Sequence, residues 1–143
     1  MYPIEPLYID GLAPEKAHQN DAAFDLRAVE YSTVVPGNPT LIDCGFAIAI
    51  PDGYVGLVCS RSGLARNNAI FVLNAPGVID PGYRGDISVV LMNLGPDPHL
   101  VQPGARIAQL LILPNSNFRL VQSKNALGET KRGTDGFGST GVT

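Results

Sequence analysis

The chain has 143 residues, a length that suits one compact domain. Apolar residues make up 45% of it and charged residues 16%, proportions that argue against a disordered chain. The formal charge of −3 excludes a general basic field, so we expect neither nucleic acid nor a membrane as a partner. Because no apolar run is long enough for a bilayer and no signal peptide precedes the first strand, the sequence predicts a soluble, cytoplasmic protein.

Short β-rich runs dominate the chain and are separated by turn signals. The predicted strands cover residues 46–50, 54–59, 69–73, 87–92 and 107–113. The last two runs are nearly all apolar, as is typical of strands buried on both faces or in a subunit interface. The one predicted helix begins near Ser62 and ends near Asn67, with Ser60 or Ser62 as its candidate cap. The spacing of the runs predicts an all-β, jelly-roll-like barrel.

Cys44 and Cys59 are the only two cysteines. Neither belongs to a CxxC motif, and the sequence has no cluster of Cys and His of the metal-binding type. We expect both to be buried free thiols rather than a disulfide or a redox pair.

The segment at the start of the predicted helix, residues 60–64, is a first candidate for phosphate binding. A helix N-terminus has free N–H groups and the positive end of the helix dipole, which favour a phosphate. Arg61 would add a charged fork and Ser62 a hydroxyl donor. The alternative is a plain helix cap with a surface arginine, and this segment alone does not separate the two.

Residues 74–85 contain two Pro-Gly pairs, at Pro76 and Pro81, each placed for the central positions of a type II turn. Between the pairs, residues 78–80 are expected to form an extended stub whose main-chain donors and acceptors are unpaired. Such a rigid edge can read the pairing edge of uracil and reject cytosine by a factor of roughly 10⁴–10⁵. The alternative is a hairpin with ordinary turns.

Three polar side chains stand in or beside apolar runs. Gln109 lies inside the run that Arg106 enters, and a buried amide there needs partners; the alternative is an ordinary core amide. Asp25, between two apolar residues at a strand start, could face a hard cation. Taken alone, a surface aspartate is the simpler interpretation of Asp25.

The glycine-rich segment of residues 132–141 lies close to the C-terminus. Its backbone N–H groups could wrap phosphates, while Arg132 would add a charge and Phe137 a flat face for a base. The alternative is a disordered Gly/Ser tail. One arginine and one phenylalanine inside the segment argue against a pure linker.

Taken together and in this order, five segments resemble the motifs of the trimeric dUTP pyrophosphatase (dUTPase) family. The matching segments are residues 22–26, 60–63, 74–85, 106–109 and 132–141. Five ordered motifs are specific where each one alone is not. The chain departs from the family pattern at Ala23, Ser60, Ala105 and Asp135, where the family has glycine, proline, often an acidic residue, and glycine.

The resemblance implies a role for each matching residue. The residues implied to bind substrate are Arg61, Ser62, Gly63, Asn74, Gly77, Val78, Ile79, Asp80, Tyr83, Phe137, Gly138, Ser139 and Thr140. The residues implied to be catalytic are Asp80, Gln109 and Arg132. Asp25 would organise Mg²⁺ through water, and Asp80 would contact the 3′-hydroxyl and orient the attacking water. Tyr83 would pack beneath the deoxyribose, Arg132 would contact the γ-phosphate and Phe137 would stack on uracil.

The activity that the resemblance implies is hydrolysis of dUTP to dUMP and pyrophosphate by attack of water on the α-phosphorus. This reaction limits uracil incorporation into DNA and supplies dUMP for dTMP synthesis. The resemblance also implies a homotrimer whose sites each draw on three subunits. Residues 1–122 are then expected to form the β-barrel domain, and residues 123–143 a flexible C-terminal arm that crosses to a neighbour with the fifth motif.

Two other functions compete with this interpretation. A dCTP deaminase has a related fold, but such enzymes lack a tail of this type, and the sequence offers no acid or base placed to deaminate cytosine. The other is a dUTPase-like chain that serves as a regulatory binding protein. The catalytic-type residues Asp25, Arg61, Asp80 and Arg132 are all present, which argues against loss of activity.

Overall fold

The computed structural model describes residues 6–116 and 118–136. Within them lie ten strands and one short helix, and the strand content is 42%. The strands are β1 (Tyr8–Gly11), β2 (Phe24–Arg27), β3 (Ser32–Val34), β4 (Thr40–Ala49), β5 (Tyr54–Cys59), β6 (Ile70–Val72), β7 (Gly77–Ile79), β8 (Asp86–Asn93), β9 (His99–Val101) and β10 (Arg106–Pro114). The helix α1 (Ser62–Asn68) follows β5 and is too short to cross a membrane, and the described residues hold no other helix. The all-β prediction is confirmed.

The strands form two four-stranded sheets and one two-stranded sheet, and every strand pair is antiparallel. The first sheet has the order β1-β4-β8-β6, the second has the order β2-β10-β5-β7, and β3 pairs with β9. Closure of these sheets into a jelly-roll barrel stays a prediction. So does the division at residue 122, although residues 118–136 contain no strand or helix.

Each long strand buries one face because successive side chains point to opposite sides of a sheet. In β8, Ile87, Val89 and Leu91 are buried, whereas the residues between them are half-buried. The outer end of β10 is more open, and Leu113 is 40% exposed. Burial of these strands on both faces is therefore wrong for the single chain, and their place in a subunit interface stays a prediction.

The helix begins where the sequence predicts, but its cap differs. Arg61 is the N-cap residue, its backbone is extended, and no side chain caps the helix. The prediction of a Ser60 or Ser62 cap is wrong because the Ser60 hydroxyl is engaged elsewhere: it accepts a hydrogen bond from the Val72 N–H at 2.9 Å. The start of α1 consequently keeps the free amides that every uncapped helix start has.

Both cysteines are free, as predicted, but only Cys44 is buried. Burial raises the pKa of the Cys44 thiol to about 12, and the neighbouring Asp43 carboxylate acts in the same direction. Cys44 is therefore a protonated, unreactive part of the core at neutral pH. Cys59 is half-buried at the end of β5.

Asn93, at the end of β8, is a polar side chain with no exposure to solvent. Its Nδ2 donates to the carbonyl oxygens of Val34 and Asp97, both at 2.9 Å, and its Oδ1 accepts from the Gly95 N–H at 2.8 Å. The amide therefore ties three chain segments together in the core. Both polar atoms of the Asn93 side chain have partners, as a buried amide requires.

Asn93→Ala is expected to lower the free energy of unfolding by about 3 kcal/mol, because three backbone groups, of which the Val34 carbonyl is fully buried, lose their partner in a site closed to solvent. Urea denaturation followed by circular dichroism measures the change. The matched control is Asn38→Ala, at an exposed position. Equal unfolding midpoints for the two variants would show that water replaces the Asn93 amide at no cost.

The second sheet positions most of the residues that the sequence analysis singled out. Asp25 lies on β2, Arg106 and Gln109 lie on β10, and β5 runs directly into Ser60 and the start of α1. The strand β7 lies at one edge of this sheet and contains Val78 and Ile79 of the extended stub predicted at residues 78–80. One sheet therefore carries both the segments predicted to bind phosphate and the edge predicted to read the base.

Candidate active site

A cavity of about 420 Å³ opens where β2 and β10 meet the start of α1. We name it the arginine cavity. Its polar lining residues are Asp21, Asp25, Arg61, Ser62, Gly63, Arg106 and Gln109. The first, second and fourth predicted segments are thus brought together in one place, although they lie far apart in the sequence.

Asp25 is the charge around which the arginine cavity is organised. Its carboxylate lies 3.5 Å from Arg61 Nε and 3.4 Å from Arg106 Nη1, and its side chain is only 13% exposed. Interpretation as a simple surface aspartate is therefore wrong. The lining holds two carboxylates, Asp21 and Asp25, and two guanidinium groups, Arg61 and Arg106, so its formal charges balance. The guanidinium groups are the part of the lining suited to an anion such as a phosphate.

Two further hydrogen bonds fix the walls of this cavity. Arg61 Nη1 donates to the Arg106 carbonyl oxygen at 3.1 Å, and Gln109 Nε2 donates to the Ser60 carbonyl oxygen at 2.8 Å. The prediction that the strand amide of Gln109 needs a partner is confirmed. Since a glutamine amide has two N–H donors and one carbonyl oxygen, Gln109 keeps bonding capacity for a ligand.

The carboxylates of the arginine cavity fit Mg²⁺ only in an indirect way. The described residues contain no group of three or more His, Cys, Asp or Glu side chains that could hold a metal ion. Asp25 and Asp21 do line the cavity together, but Asp25 is already paired with two arginines. Because Mg²⁺ commonly keeps several waters and binds through one or two carboxylates plus substrate phosphates, this donor set fits a water-mediated role.

A second cavity, of about 410 Å³, lies beside the outer edge of the second sheet. We name it the hairpin cavity. Among its lining residues are Leu41, Val72, Asn74, Gly77, Val78, Ile79, Asp80, Tyr83 and Asp86. All the residues predicted from the third segment line it, and Asp80 is exposed at its rim.

The strand β7 presents a free edge to the hairpin cavity. It pairs with β5 on one side, where Val78 opposes Leu57, and it is the last strand of its sheet. An edge strand has a row of main-chain donors and acceptors without partners in the sheet. The stub is thus unpaired on one side only. The hairpin alternative is wrong, because β7 pairs with β5 and not with its chain neighbours β6 or β8.

The turns on either side of β7 differ from the prediction. The Ala75–Pro76 peptide bond is cis, and neither Gly77 nor Gly82 has the positive φ that a type II turn requires. The Tyr83 N–H instead donates to the Asp80 carbonyl oxygen at 3.1 Å across an ordinary four-residue turn. The type II assignment is therefore wrong at both Pro-Gly pairs, because glycine permits a positive φ without requiring it.

The ring of Tyr83 lies against Gly85. A Cβ atom added to Gly85 would be 2.7 Å from Tyr83 Cζ, closer than real Cβ contacts allow. The Tyr83 hydroxyl donates to the Asp86 carbonyl oxygen at 3.1 Å, so this hydrogen bond fixes the ring as well as its contact with Gly85. Gly85 is thus needed for its small size, because it leaves room for the aromatic ring that lines the hairpin cavity.

The described part of the C-terminal segment lies apart from both cavities. Arg132 Nε donates to the Asp135 carbonyl oxygen at 3.1 Å, and Arg132 is exposed and lines neither cavity among those described. The predictions for Phe137, Gly138, Ser139 and Thr140 lie outside the described residues. Within one chain, therefore, Arg132 is not brought to Arg61 and Arg106.

Several residues that line these cavities were not predicted from the sequence. Leu41 reaches the hairpin cavity from β4 in the first sheet, and no local pattern marks such a contact. Asp86 supplies the backbone acceptor for Tyr83, and Asp21 lines the arginine cavity. A signal did exist for Asp21, because it directly precedes the segment that contains Asp25.

By fold and site, this is an all-β protein with an arginine-lined cavity suited to a phosphorylated small molecule. A family model described as dUTPase matches residues 10–141. The chain therefore belongs to the dUTPase family.

Similar proteins include two bacterial deoxyuridine 5′-triphosphate nucleotidohydrolases. That of Tropheryma whipplei (strain Twist) is 44% identical over 141 residues, covering 96% of this chain and 94% of its own length. That of Corynebacterium jeikeium (strain K411) is 48% identical over 132 residues, covering 90% and 85%.

Two solved phage structures are also similar. The dUTPase of Staphylococcus bacteriophage 80alpha with dUPNHPP has a TM-score of 0.85 at 29% identity and covers 97% of this chain and 100% of its own. A mutant dUTPase from phage phi11 of S. aureus, described with a structural Mg(II) ion, has a TM-score of 0.76 at 24% identity, covering 85% and 98%. The second likeness bears on the fold alone.

Proposed function

We propose that this chain hydrolyses dUTP to dUMP and pyrophosphate by attack of water on the α-phosphorus. The observation that carries the proposal is the presence, in one dUTPase family member, of an arginine cavity and a separate cavity with a free strand edge. The first suits a triphosphate and the second suits a base and its sugar. The named relatives are nucleotidohydrolases of deoxyuridine 5′-triphosphate, which supports the same substrate.

In this proposal the arginine cavity holds the phosphates. Arg61 supplies a guanidinium fork, and the amides of Ser62 and Gly63 lie at an uncapped helix start. Gln109 keeps a donor and an acceptor for the same group. Phosphoryl chemistry of this kind depends on positioning and on neutralising the charge of the leaving pyrophosphate, and fixed donors of this type contribute to both.

The base is read by the free edge of β7 and by Asn74. Uracil presents acceptor, donor and acceptor along its pairing edge, whereas cytosine reverses two of the three. A main-chain edge cannot rearrange its donors to suit cytosine, and unpaired polar groups would strongly disfavour it. Asp80 follows this edge directly. We propose that its carboxylate contacts the 3′-hydroxyl and orients the attacking water or accepts its proton.

Gly85→Ala is expected to lower kcat/KM for dUTP by at least about tenfold and to reduce the preference for dUTP over UTP, because the added methyl displaces Tyr83 from the sugar. Steady-state pyrophosphate release from the two nucleotides measures both effects. Gly82→Ala is the control, because a Cβ atom there meets nothing within 4 Å. Unchanged preference in Gly85→Ala would remove Tyr83 from sugar recognition.

Asp25 is proposed to take part in Mg²⁺ binding through water, with the phosphates as the other ligands. When bound, Mg²⁺ would neutralise phosphate charge. The role of this chain is to hold the Asp25 carboxylate in place, which Arg61 and Arg106 do from two sides. The same two ion pairs keep both guanidinium groups on the cavity wall before any nucleotide arrives.

A complete site is proposed to need three chains. The arginine cavity and the hairpin cavity share no lining residue, and Arg132 lines neither of them. Large apolar side chains such as Leu120 and Leu127 are 97% and 95% exposed in the single chain. A homotrimer in which residues 123–143 cross to a neighbour would join the separate parts and cover such side chains.

Asp135→Gly is expected to leave kcat unchanged and to lower the KM for dUTP by up to about threefold, because a carboxylate beside a triphosphate opposes closure of the arm. Asp135 is exposed, so its removal leaves no buried partner. Asp135→Asn separates the loss of charge from the added backbone freedom of glycine. A large loss of activity in both variants would instead give Asp135 a positive role in the arm.

The test of the proposed function is pyrophosphate release, with Mg²⁺, from dUTP, dCTP, dTTP and UTP in parallel. Release from dUTP alone is expected. Release from all four would keep the phosphate site and discard the base and sugar filters. No release from any of them would overturn the proposal. Ammonia release from dCTP, measured in the same samples, would then favour the deaminase, and its absence would favour the regulatory binding protein. A cytoplasmic location is also proposed, in agreement with two free thiols.

A further inference from the structure

Ser60 belongs to the segment predicted to bind phosphate, but it does not line the arginine cavity. It follows β5 directly and precedes Arg61. Its carbonyl oxygen accepts from Gln109 Nε2 at 2.8 Å, whereas its hydroxyl oxygen accepts from the Val72 N–H at 2.9 Å. One residue therefore bonds at the same time to a wall of the arginine cavity and to the other four-stranded sheet.

The second of these bonds leads directly to the hairpin cavity. Val72 ends β6, the edge strand of the first sheet, and lines the hairpin cavity together with Asn74. On the same side of β6 as its N–H, the Val72 carbonyl oxygen accepts from the Ala75 N–H at 3.2 Å, which closes the turn that contains Asn74. A line of three hydrogen bonds thus joins Gln109, Ser60, Val72 and Ala75.

Val72 is only 2% exposed, so its N–H needs a partner that the sheet does not supply. The Ser60 hydroxyl is that partner. A proline at position 60 would stiffen the backbone but would have no hydroxyl to donate or accept. The serine therefore does something that the residue expected from the family motif could not do.

We propose that Ser60 is a positioning residue whose hydroxyl fixes the distance between the phosphate-binding segment at residues 60–63 and the base-reading turn at residues 73–77. This inference rests on the proposed function and adds a determinant of its specificity. In a closed symmetric trimer all chains are identical, so a change of this spacing within one chain recurs in all three and also alters the distance between cavities of neighbouring chains. A looser spacing lowers the turnover of dUTP and lets the base-reading edge tolerate cytosine.

The test compares Ser60→Thr with Ser60→Val, two side chains of the same shape of which only threonine keeps the hydroxyl. Ser60→Val is expected to lower kcat for dUTP by about tenfold and to reduce the ratio of kcat/KM for dUTP over dCTP by a similar factor. Ser60→Thr is expected to retain both the turnover of dUTP and the preference for dUTP over dCTP. Ser32→Val, on β3 and outside both cavities, is the control for the substitution itself.

Amide hydrogen exchange of Val72, measured by NMR, tests the hydrogen bond between Ser60 and Val72 without an activity assay. Exchange is expected to accelerate in Ser60→Val and not in Ser60→Thr. Faster exchange with an unchanged dUTP to dCTP ratio would make Ser60 merely structural and would overturn the inference, as would equal behaviour of the two variants. If Ser60→Val does not fold, Ser60→Ala takes its place. Absence of pyrophosphate release from the unaltered protein would instead overturn the proposed function. The exchange data would still show whether the Ser60 hydroxyl bonds to the Val72 N–H.

Discussion

Asp80→Asn is expected to lower kcat for dUTP by about three orders of magnitude while leaving nucleotide binding nearly unchanged. The substitution keeps the size and hydrogen-bonding shape of the side chain, so it can still contact the 3′-hydroxyl. It removes the charge that would hold the attacking water and accept its proton. Rapid-quench turnover and calorimetric binding of a non-hydrolysable imido analogue of dUTP measure the two quantities separately.

The geometry explains why the two effects should separate. Asp80 is exposed at the rim of the hairpin cavity, and its carbonyl oxygen accepts from the Tyr83 N–H, so the turn is held by backbone atoms rather than by the carboxylate. Asp52→Asn, in an exposed turn elsewhere, is the matched control for the loss of one negative charge. Turnover like that of the unaltered protein in Asp80→Asn would remove this carboxylate from the mechanism.

Local patterns predicted the elements that carry the site. The run at residues 54–59 has the same bounds as β5, because strand-forming residues fill it and a Pro-Asp-Gly turn precedes it. The start of α1 at Ser62 was predicted for similar reasons, and the need of Gln109 for a partner follows from its place inside an apolar run. These predictions succeeded because each depends on residues close together in the chain.

Long-range contacts could not be predicted in this way. The contact between Arg106 and Asp25 spans 81 residues, and only the register of β2 against β10 brings the two together. The same holds for the Ser60 hydroxyl, which looked like a helix cap but bonds to a strand of the other sheet. The family resemblance supplied roles for Asp25 and the arginines, yet it could not show that Asp25 holds both guanidinium groups.

Truncation after Leu120 is expected to leave a folded trimer whose activity on dUTP falls by at least about a hundredfold, because the fifth motif and Arg132 are lost. Within the described residues, no hydrogen bond joins residues 121–136 to the strands, so the fold should lose little when they are removed. Light scattering and thermal unfolding check the assembly and its stability. Deletion of Val142 and Thr143 alone, which lie beyond the matched motif, is the control.

Mixing two inactive chains shows whether the arm acts on a neighbour. A full-length Asp80→Asn chain has the arm without the carboxylate, and the truncated chain has the carboxylate without the arm. If Asp80 and the arm of one site come from different subunits, co-expressed mixed trimers should regain part of the activity that neither parent has. Full activity of the truncated chain would contradict the role of the arm. Inactive mixed trimers would instead place Asp80 and the arm of each site on the same subunit.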